Sequence, residues 1–296
     1  MKCTNFGVLK ILLLVWWLVV SAWSESMGRV KRLSLPDFNK DTLSLAKYVV
    51  SIRSRTPVRY FGDDHFCGGG LLTPDWVLTS AHCIMDESKT MFKTRVLLVV
   101  AGSPNRLKFV TGKTVCSPVK ALYVPRNFTM LNTDNMAMVR LMYSMPTGNP
   151  RIGFLELPSA PPQFDSKYIV LGWGRIYEGG PLASNILQID VLLKELAYCQ
   201  KKLKTFKYGM MCGSNEGNDS NPCSGDLGGP LIKGNTMFGI VTYPIGCGSP
   251  ETPSVYTDVQ SNLDWIRDTM SSCSSQPLIS ILTLLLSQSV ACMSWQ

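Results

Sequence analysis

The sequence predicts an all-β fold. Three observations carry that prediction. Short runs rich in Val, Ile, Leu, Tyr and Thr recur from residue 48 onward. Clusters of Gly, Pro, Asn or Asp separate many of them. Only one stretch repeats its apolar residues at helical spacing. Many short strands between turn signals belong to barrels or sandwiches.

Taken in order, residues 1–24 read as a secretory leader. Lys2 and Lys10 precede the apolar run at 11–20, and Ala22-Trp23-Ser24 places small residues at the cleavage positions. The run is too short for a membrane span, and polar residues follow at once. Residues 25–44 are polar and carry the multibasic stretch Arg29-Val30-Lys31-Arg32, similar to a convertase site. Strands are predicted at 48–52, 68–73, 76–80, 96–102, 137–141, 168–174, 186–193, 237–243 and 254–259. Residues 260–270 read as the one helix, because Leu263, Trp265, Ile266 and Met270 share a face. The folded domain is placed at 45–273. The tail at 274–296 is uncharged and strongly apolar at 278–286. It reads as a glycolipid-anchor signal or as an ordinary tail, and the first reading would attach the protein to a membrane.

Export sets the chemistry of the cysteines. An oxidising compartment favours disulfides. Setting aside Cys3 and Cys292 at the ends leaves eight of the 10 cysteines in the folded part. Asn127-Phe128-Thr129 and Asn218-Asp219-Ser220 are glycosylation sequons. The formal charge is +8, and losing Lys2 and Lys10 with the leader lowers it to +6. Basic residues cluster at Arg53, Arg55 and Arg59, and at Lys201, Lys202, Lys204 and Lys207. These read as solubility, with an anionic glycan or membrane patch as the second reading. No nucleic-acid motif, metal-ligand spacing or nucleotide-binding loop accompanies them, so no cofactor, metal or nucleic-acid partner is expected.

Four segments, in order, carry a family resemblance. They are HFCGGGLL at 65–72 with WVLTSAHC at 76–83, TDNMAMVRL at 133–141, LGWG at 171–174, and CSGDLGGPL at 223–231. The last is followed by GIVTYPIGCG at 239–248 and PSVYTDV at 253–259. Together they resemble the chymotrypsin/trypsin family of serine proteases. The resemblance implies two six-stranded antiparallel β-barrels, a cleft between them and a short C-terminal helix. It implies the disulfides Cys67–Cys83, Cys199–Cys212 and Cys223–Cys247. A further family disulfide is replaced at both ends, by Tyr168 and Lys233. Cys116 and Cys273 are then unassigned, and their pairing is one reading.

Acyl transfer on this fold needs a serine nucleophile, an imidazole base and a carboxylate that orients the base. His82 stands at the base position. Leu227 stands where the family has serine, and Asn135 where it has aspartate. Neighbouring Asp134 would point away from His82 in extended chain, and Ser224 lies across the loop turn. Gly225, Asp226 and the glycines after Leu227 preserve the loop whose backbone forms the oxyanion hole. Asp226 in active relatives meets a freed N-terminus, whose motif is missing near Leu35. It is therefore expected to find another cation or to stay partly solvated, since a buried unpaired carboxylate is costly. The specificity pocket reads Asn221 at its base and Pro244 and Ser254 on its wall. These departures point to a secreted, non-catalytic homologue that binds extracellular proteins, among them active serine proteases or their inhibitors. A residual endopeptidase or esterase is the alternative, and a glycolipid-anchored surface protein is a second.

Overall fold

The computed structural model describes residues 40–86, 88–129, 133–215, 221–243 and 252–272. The leader, the multibasic stretch, Asn218, Pro244, Cys247, Cys273 and the apolar tail lie outside the described residues.

Helix α1 (Lys40–Ala46) leads into the first barrel, built from β1 (Val49–Ser54), β2 (His65–Thr73), β3 (Trp76–Thr79), β4 (Leu97–Ala101), β5 (Val115–Tyr123) and β6 (Ala137–Leu141). The second barrel comprises β7 (Lys167–Gly172), β8 (Leu187–Leu193), β9 (Met210–Ser214), β10 (Pro230–Lys233), β11 (Thr236–Tyr243) and β12 (Ser254–Asp258). Helix α2 (Leu196–Lys202) connects β8 to β9, and α3 (Leu263–Ser272) follows β12. Both barrels close, in the orders β1-β2-β3-β6-β5-β4 and β10-β11-β12-β9-β8-β7, with antiparallel neighbours. Closure removes the sheet edges that would otherwise invite pairing with other chains. The expected fold class is thus the observed one.

Alternation along each strand fills the barrels. Val50, Ile52, Leu71, Val77, Val99 and Val139 pack inside the first. Val170, Ile189, Val191, Met211, Leu231 and Val241 pack inside the second. A third cluster joins the two. Leu72, Trp76, Met136 and Met138 meet Leu171, Trp173, Ile232, Met237 and Ile240, and Leu263 and Ile266 of α3 close it. The predicted helix at 260–270 is therefore amphipathic for a reason: Leu263 and Ile266 are buried in the barrel interface, with Trp265 and Met270 against it.

Several elements depart from the sequence reading. Strand β5 was not anticipated because Pro118 sits inside it; its pairing with β6 slips between Val119 and Ala121, beside that proline. Strands β9 and β10 are short, and β10 begins with Pro230. Helices α1 and α2 are seven residues each, too short to show a period. Cys199 of α2 is held to Cys212 of β9, and Cys67 of β2 to Cys83. Cys223 is disulfide-bonded.

Two readings are corrected. Cys116 is a free thiol and does not pair with Cys273. It lies on β5 opposite Val100, close enough to Arg53 and Asp64 to feel their charge, whereas α3 packs on the barrel interface. Arg53 does not belong to a surface basic cluster. It is 1% exposed, donates from Nε to Ser51 Oγ at 2.8 Å and from Nη2 to the Arg106 carbonyl at 3.0 Å, and stacks on Phe61 at 4.6 Å. Burial lowers its pKa to about 10.

Where the family disulfide is missing, the two replacements meet. Lys233 Nζ lies 5.4 Å from the centroid of the buried Tyr168 ring and donates to Gln163 and Ser166. A cation–π contact with hydrogen bonds stands in for a covalent bridge.

Candidate functional site

Three segments converge at the seam of the barrels. A single 3-10 turn after β3 (Ala81–Cys83) carries His82, the approach to β6 carries Asn135, and the loop before β10 carries Leu227. Ser80 caps the turn: its hydroxyl oxygen accepts the His82 N–H at 3.3 Å. The Thr257 hydroxyl of the second barrel donates to the Asn135 carbonyl at 3.1 Å, so the Asn135 segment is pinned from both sides.

The amide of Asn135 is oriented by its neighbours. It is fully buried. Its Oδ1 accepts the Ser80 hydroxyl at 2.8 Å and the His82 backbone N–H at 3.3 Å. A backbone N–H can only donate, so oxygen must occupy that side. Nδ2 consequently faces His82 Nδ1 at 3.0 Å and donates to it. An imidazole nitrogen that accepts carries no proton, so the neutral ring holds its proton on Nε2. A carboxylate at this position would do the reverse, accepting from Nδ1–H and leaving Nε2 free to take a proton. His82 Nε2 is itself buried without a hydrogen-bond partner among the described residues. The Phe128 ring stands edge-on to the imidazole at 5.6 Å. Burial lowers the His82 pKa and favours the neutral ring.

Leu227 stands opposite, half-buried, with its side chain against the first-barrel core cluster that includes Cys67 and Cys83. Its carbonyl accepts the Gly68 N–H at 2.7 Å. Two glycines hold the loop in shape. Gly225 has φ +97°, and a Cβ there would meet Leu182 Cδ2 at 2.7 Å. Gly228 has φ +77°, and a Cβ there would lie 2.1 Å from Thr79 Oγ1 and 2.5 Å from the Gly68 carbonyl oxygen. Asp226, Gly228 and Gly229 use their N–H groups within the loop or to β11. The Gly225 and Leu227 N–H groups have no partner among the described residues. The backbone donors of an oxyanion hole are thus retained beside a side chain that has no nucleophilic atom.

Of the two outcomes expected for Asp226, another cation or partial solvation, the structure rules out the second. Its carboxylate is not left in solvent: it is fully buried, accepting the Gly174 N–H at 2.8 Å on Oδ1 and the Cys223 N–H at 2.9 Å on Oδ2. Backbone donors compensate part of the desolvation.

Asp134 does not reach His82, although the reason differs from the extended-chain argument. It adopts φ +51°, and its carboxylate lies over Gly209 instead, 4.0 Å from where a Cβ would stand. Ser224 is exposed, and its carbonyl accepts the Arg175 N–H. Of the pocket positions, Asn221 and Ser254 are both buried, Ser254 opening β12 opposite Gly213. Asn127 is exposed, next to the Phe128 that touches His82. No cluster able to hold a metal is present among the described residues, and no described helix is long and apolar enough to cross a membrane.

Sequence reasoning missed Ser80, Thr257 and the buried relay behind the loop. In that relay His65 Nε2 donates to the Gly225 carbonyl at 2.9 Å, which can only accept. Nδ1 therefore accepts, from the Ser51 hydroxyl at 2.7 Å, and Ser51 in turn accepts from Arg53. Nothing in the sequence around Arg53 signals a buried guanidinium.

Comparison with known proteins agrees with this fold. The chain matches the trypsin family over residues 39–266. It is 34% identical over 223 residues to a snake venom serine protease KN1 from Trimeresurus stejnegeri, covering 71% of this chain and 80% of that protein. It is 30% identical over 237 residues to serine protease 57 from Homo sapiens, covering 78% and 79% of the two chains. It is also 30% identical over 210 residues to putative trypsin-6 from Homo sapiens, covering 70% and 80%.

Proposed function

The chain belongs to the trypsin family of serine proteases, and within it we propose a secreted protein that binds other extracellular proteins and does not hydrolyse them. One observation carries the reading. The nucleophile position is an aliphatic side chain, and the residue that should orient the base is an amide that donates to it. Leu227 cannot form the acyl intermediate. Asn135 directs the His82 proton to the nitrogen that would have to accept one. Each change alone disables the shared mechanism at a different step, so no single repair restores it. Its role is that of a cofactor, decoy or regulator of proteolysis, with active proteases or their inhibitors as the partner class.

Secretion is supported by the leader-like residues 1–24 and by the disulfides, which persist in oxidising compartments. The exposed Asn127 sequon fits the same route. A glycan there would stand beside Phe128 and the cleft, narrowing access to His82. Treatment of the secreted protein with an N-glycosidase should lower its mass, whereas an unchanged mass of the Asn127 peptide rejects that modification.

The decisive assay is hydrolysis of a diverse peptide and ester library by the purified secreted protein beside its His82→Ala variant. Equal background in both is the expected result. The relatives are named as proteases, and activity that His82→Ala abolishes would replace this reading with a residual endopeptidase or esterase.

A further inference from the structure

Away from the cleft, the second barrel carries a groove that the family chemistry does not use. It has a volume of about 250 Å³, and Phe164, Leu196, Phe206, Tyr208 and Met210 line it. Three of these are conspicuously open: Phe164 is 39%, Leu196 47% and Tyr208 93% exposed. Aromatic surface of that extent is unusual on a face with no partner and typical of interface centres.

The groove is also rigid. The Met210 N–H donates to the Lys207 carbonyl and the Asp258 N–H to the Gly209 carbonyl, with Gly209 at φ +81°, so the turn bearing Tyr208 is tied to β12. On the other side, α2 is anchored through the Cys199–Cys212 disulfide. An occupant would therefore meet a surface already ordered, which lowers the entropic cost of binding.

Lys207 lines the groove, and Lys201, Lys202 and Lys204 stand just before it in the chain. All four are exposed, and among the described residues none of them makes an ion pair. Asp258 is the one acid among the lining residues, and both its oxygens are engaged, by the Gln260 N–H and the Ser261 hydroxyl. Glu195 is the only acid between Lys194 and Tyr208, and the Asp134 carboxylate lies over Gly209.

From this juxtaposition we propose that the groove is a docking site for an acidic peptide segment of a partner protein, anchored by an aromatic or branched apolar side chain. The lysines supply charge complementarity and steering, and the apolar floor supplies the anchor pocket. A sulfated glycan or an anionic lipid surface would use the lysines without needing the floor. This site does not depend on the reading of the cleft, since a working protease could carry it equally. The activity assay and the binding assay therefore fail separately.

The test is fluorescence anisotropy on the purified secreted protein. One labelled probe is a glutamate-rich peptide with a central Phe-Leu pair. The other has the same charge with Ser-Ser in the centre. The anchored peptide should bind about tenfold tighter or better. The double exchange Lys204→Glu, Lys207→Glu should weaken it at least about tenfold, and Tyr208→Ala by a similar factor. Reversal of Lys93 and Arg95, elsewhere on the surface, should leave it unchanged. All these side chains are exposed, and an unchanged melting temperature verifies folding. Equal affinity for both peptides overturns the proposal, because charge alone then suffices. So does tighter, lysine-dependent binding of a heparin fragment or of phosphatidylserine vesicles, or no peptide binding at all.

Discussion

The chain has two histidines, and their surroundings differ instructively. His65 lies fully buried with both ring nitrogens used, one accepting from Ser51 and one donating to the Gly225 carbonyl. It joins the first barrel to the loop that bears Leu227. His82 lies half-buried with Nδ1 facing an amide and Nε2 without a partner among the described residues. One histidine serves the framework, and its network is closed. The other stands where the family places its base, and its partners on both sides have changed. The architecture of the cleft is kept by interactions separate from those that would operate it. Scaffold and chemistry can therefore diverge independently.

The sharpest way to break this contrast is to rebuild the His82 side. Leu227→Ser alone restores a hydroxyl beside a ring whose proton is on the wrong nitrogen. Adding Asn135→Asp should raise ester turnover about 10⁴-fold over the single variant, the factor known for this exchange in a working triad. Peptide cleavage should still fall far short of a trypsin, because Asn221, Pro244 and Ser254 remain. Single and double variants of equal activity would mean that Asn135 does not set the tautomer. Trypsin-like peptide cleavage by the double variant would refute the account of the pocket.

A smaller effect separates the two rings by stability. His65→Ala removes a buried ring and strands both Ser51 and the Gly225 carbonyl, which should cost about 3–4 kcal/mol. In a chain of this size that is a fall in melting temperature of roughly 10 °C. His82→Ala should cost less, about 1–2 kcal/mol, since it deletes an unsatisfied buried nitrogen and strands only the Asn135 Nδ2 donor. Similar losses from both, measured by calorimetry, would erase the distinction.

The gentlest test is acid. Burial lowers the His65 pKa to about 3, well below the ordinary value of 6.5. The unfolded chain therefore binds the proton more readily than the folded one. The His65 contribution is fully present above about pH 6.5 and is lost as pH falls toward 3, at about 1.4 kcal/mol per unit. A His65→Gln variant should show a shallower decline of stability with pH over that window. Parallel curves for the two proteins would mean that His65 does not titrate as its burial implies.

Much of the fold was legible because strand patterning is local. Nine strand segments and the terminal helix announce themselves through alternation or period, and WVLTSAHC and GDLGGP locate the cleft. Strand β5 was hidden by Pro118, and α1 and α2 by their brevity. The site's vocabulary was equally legible, since His82, Asn135 and Leu227 could each be named. Their grammar was not. Which way the Asn135 amide points depends on Ser80 and a backbone N–H 53 residues away along the chain. Arg53 reads as surface charge in a run of arginines, yet it is a core residue balanced by the Arg106 carbonyl and Phe61.

What the sequence determined, through the family its motifs resemble, is therefore the architecture and the chemical inventory: two barrels, the bridges Cys67–Cys83 and Cys199–Cys212, and a cleft without serine or aspartate at the expected places. What only the tertiary structure decided is orientation and partnership. It set the tautomer of each histidine, the backbone donors that receive Asp226, and the pairing of Tyr168 with Lys233 in place of a disulfide. It also placed Lys207 on an apolar groove. The reason is range: burial patterns repeat every two or four residues, whereas a hydrogen-bond donor is chosen by whichever distant segment the fold brings within 3 Å of it.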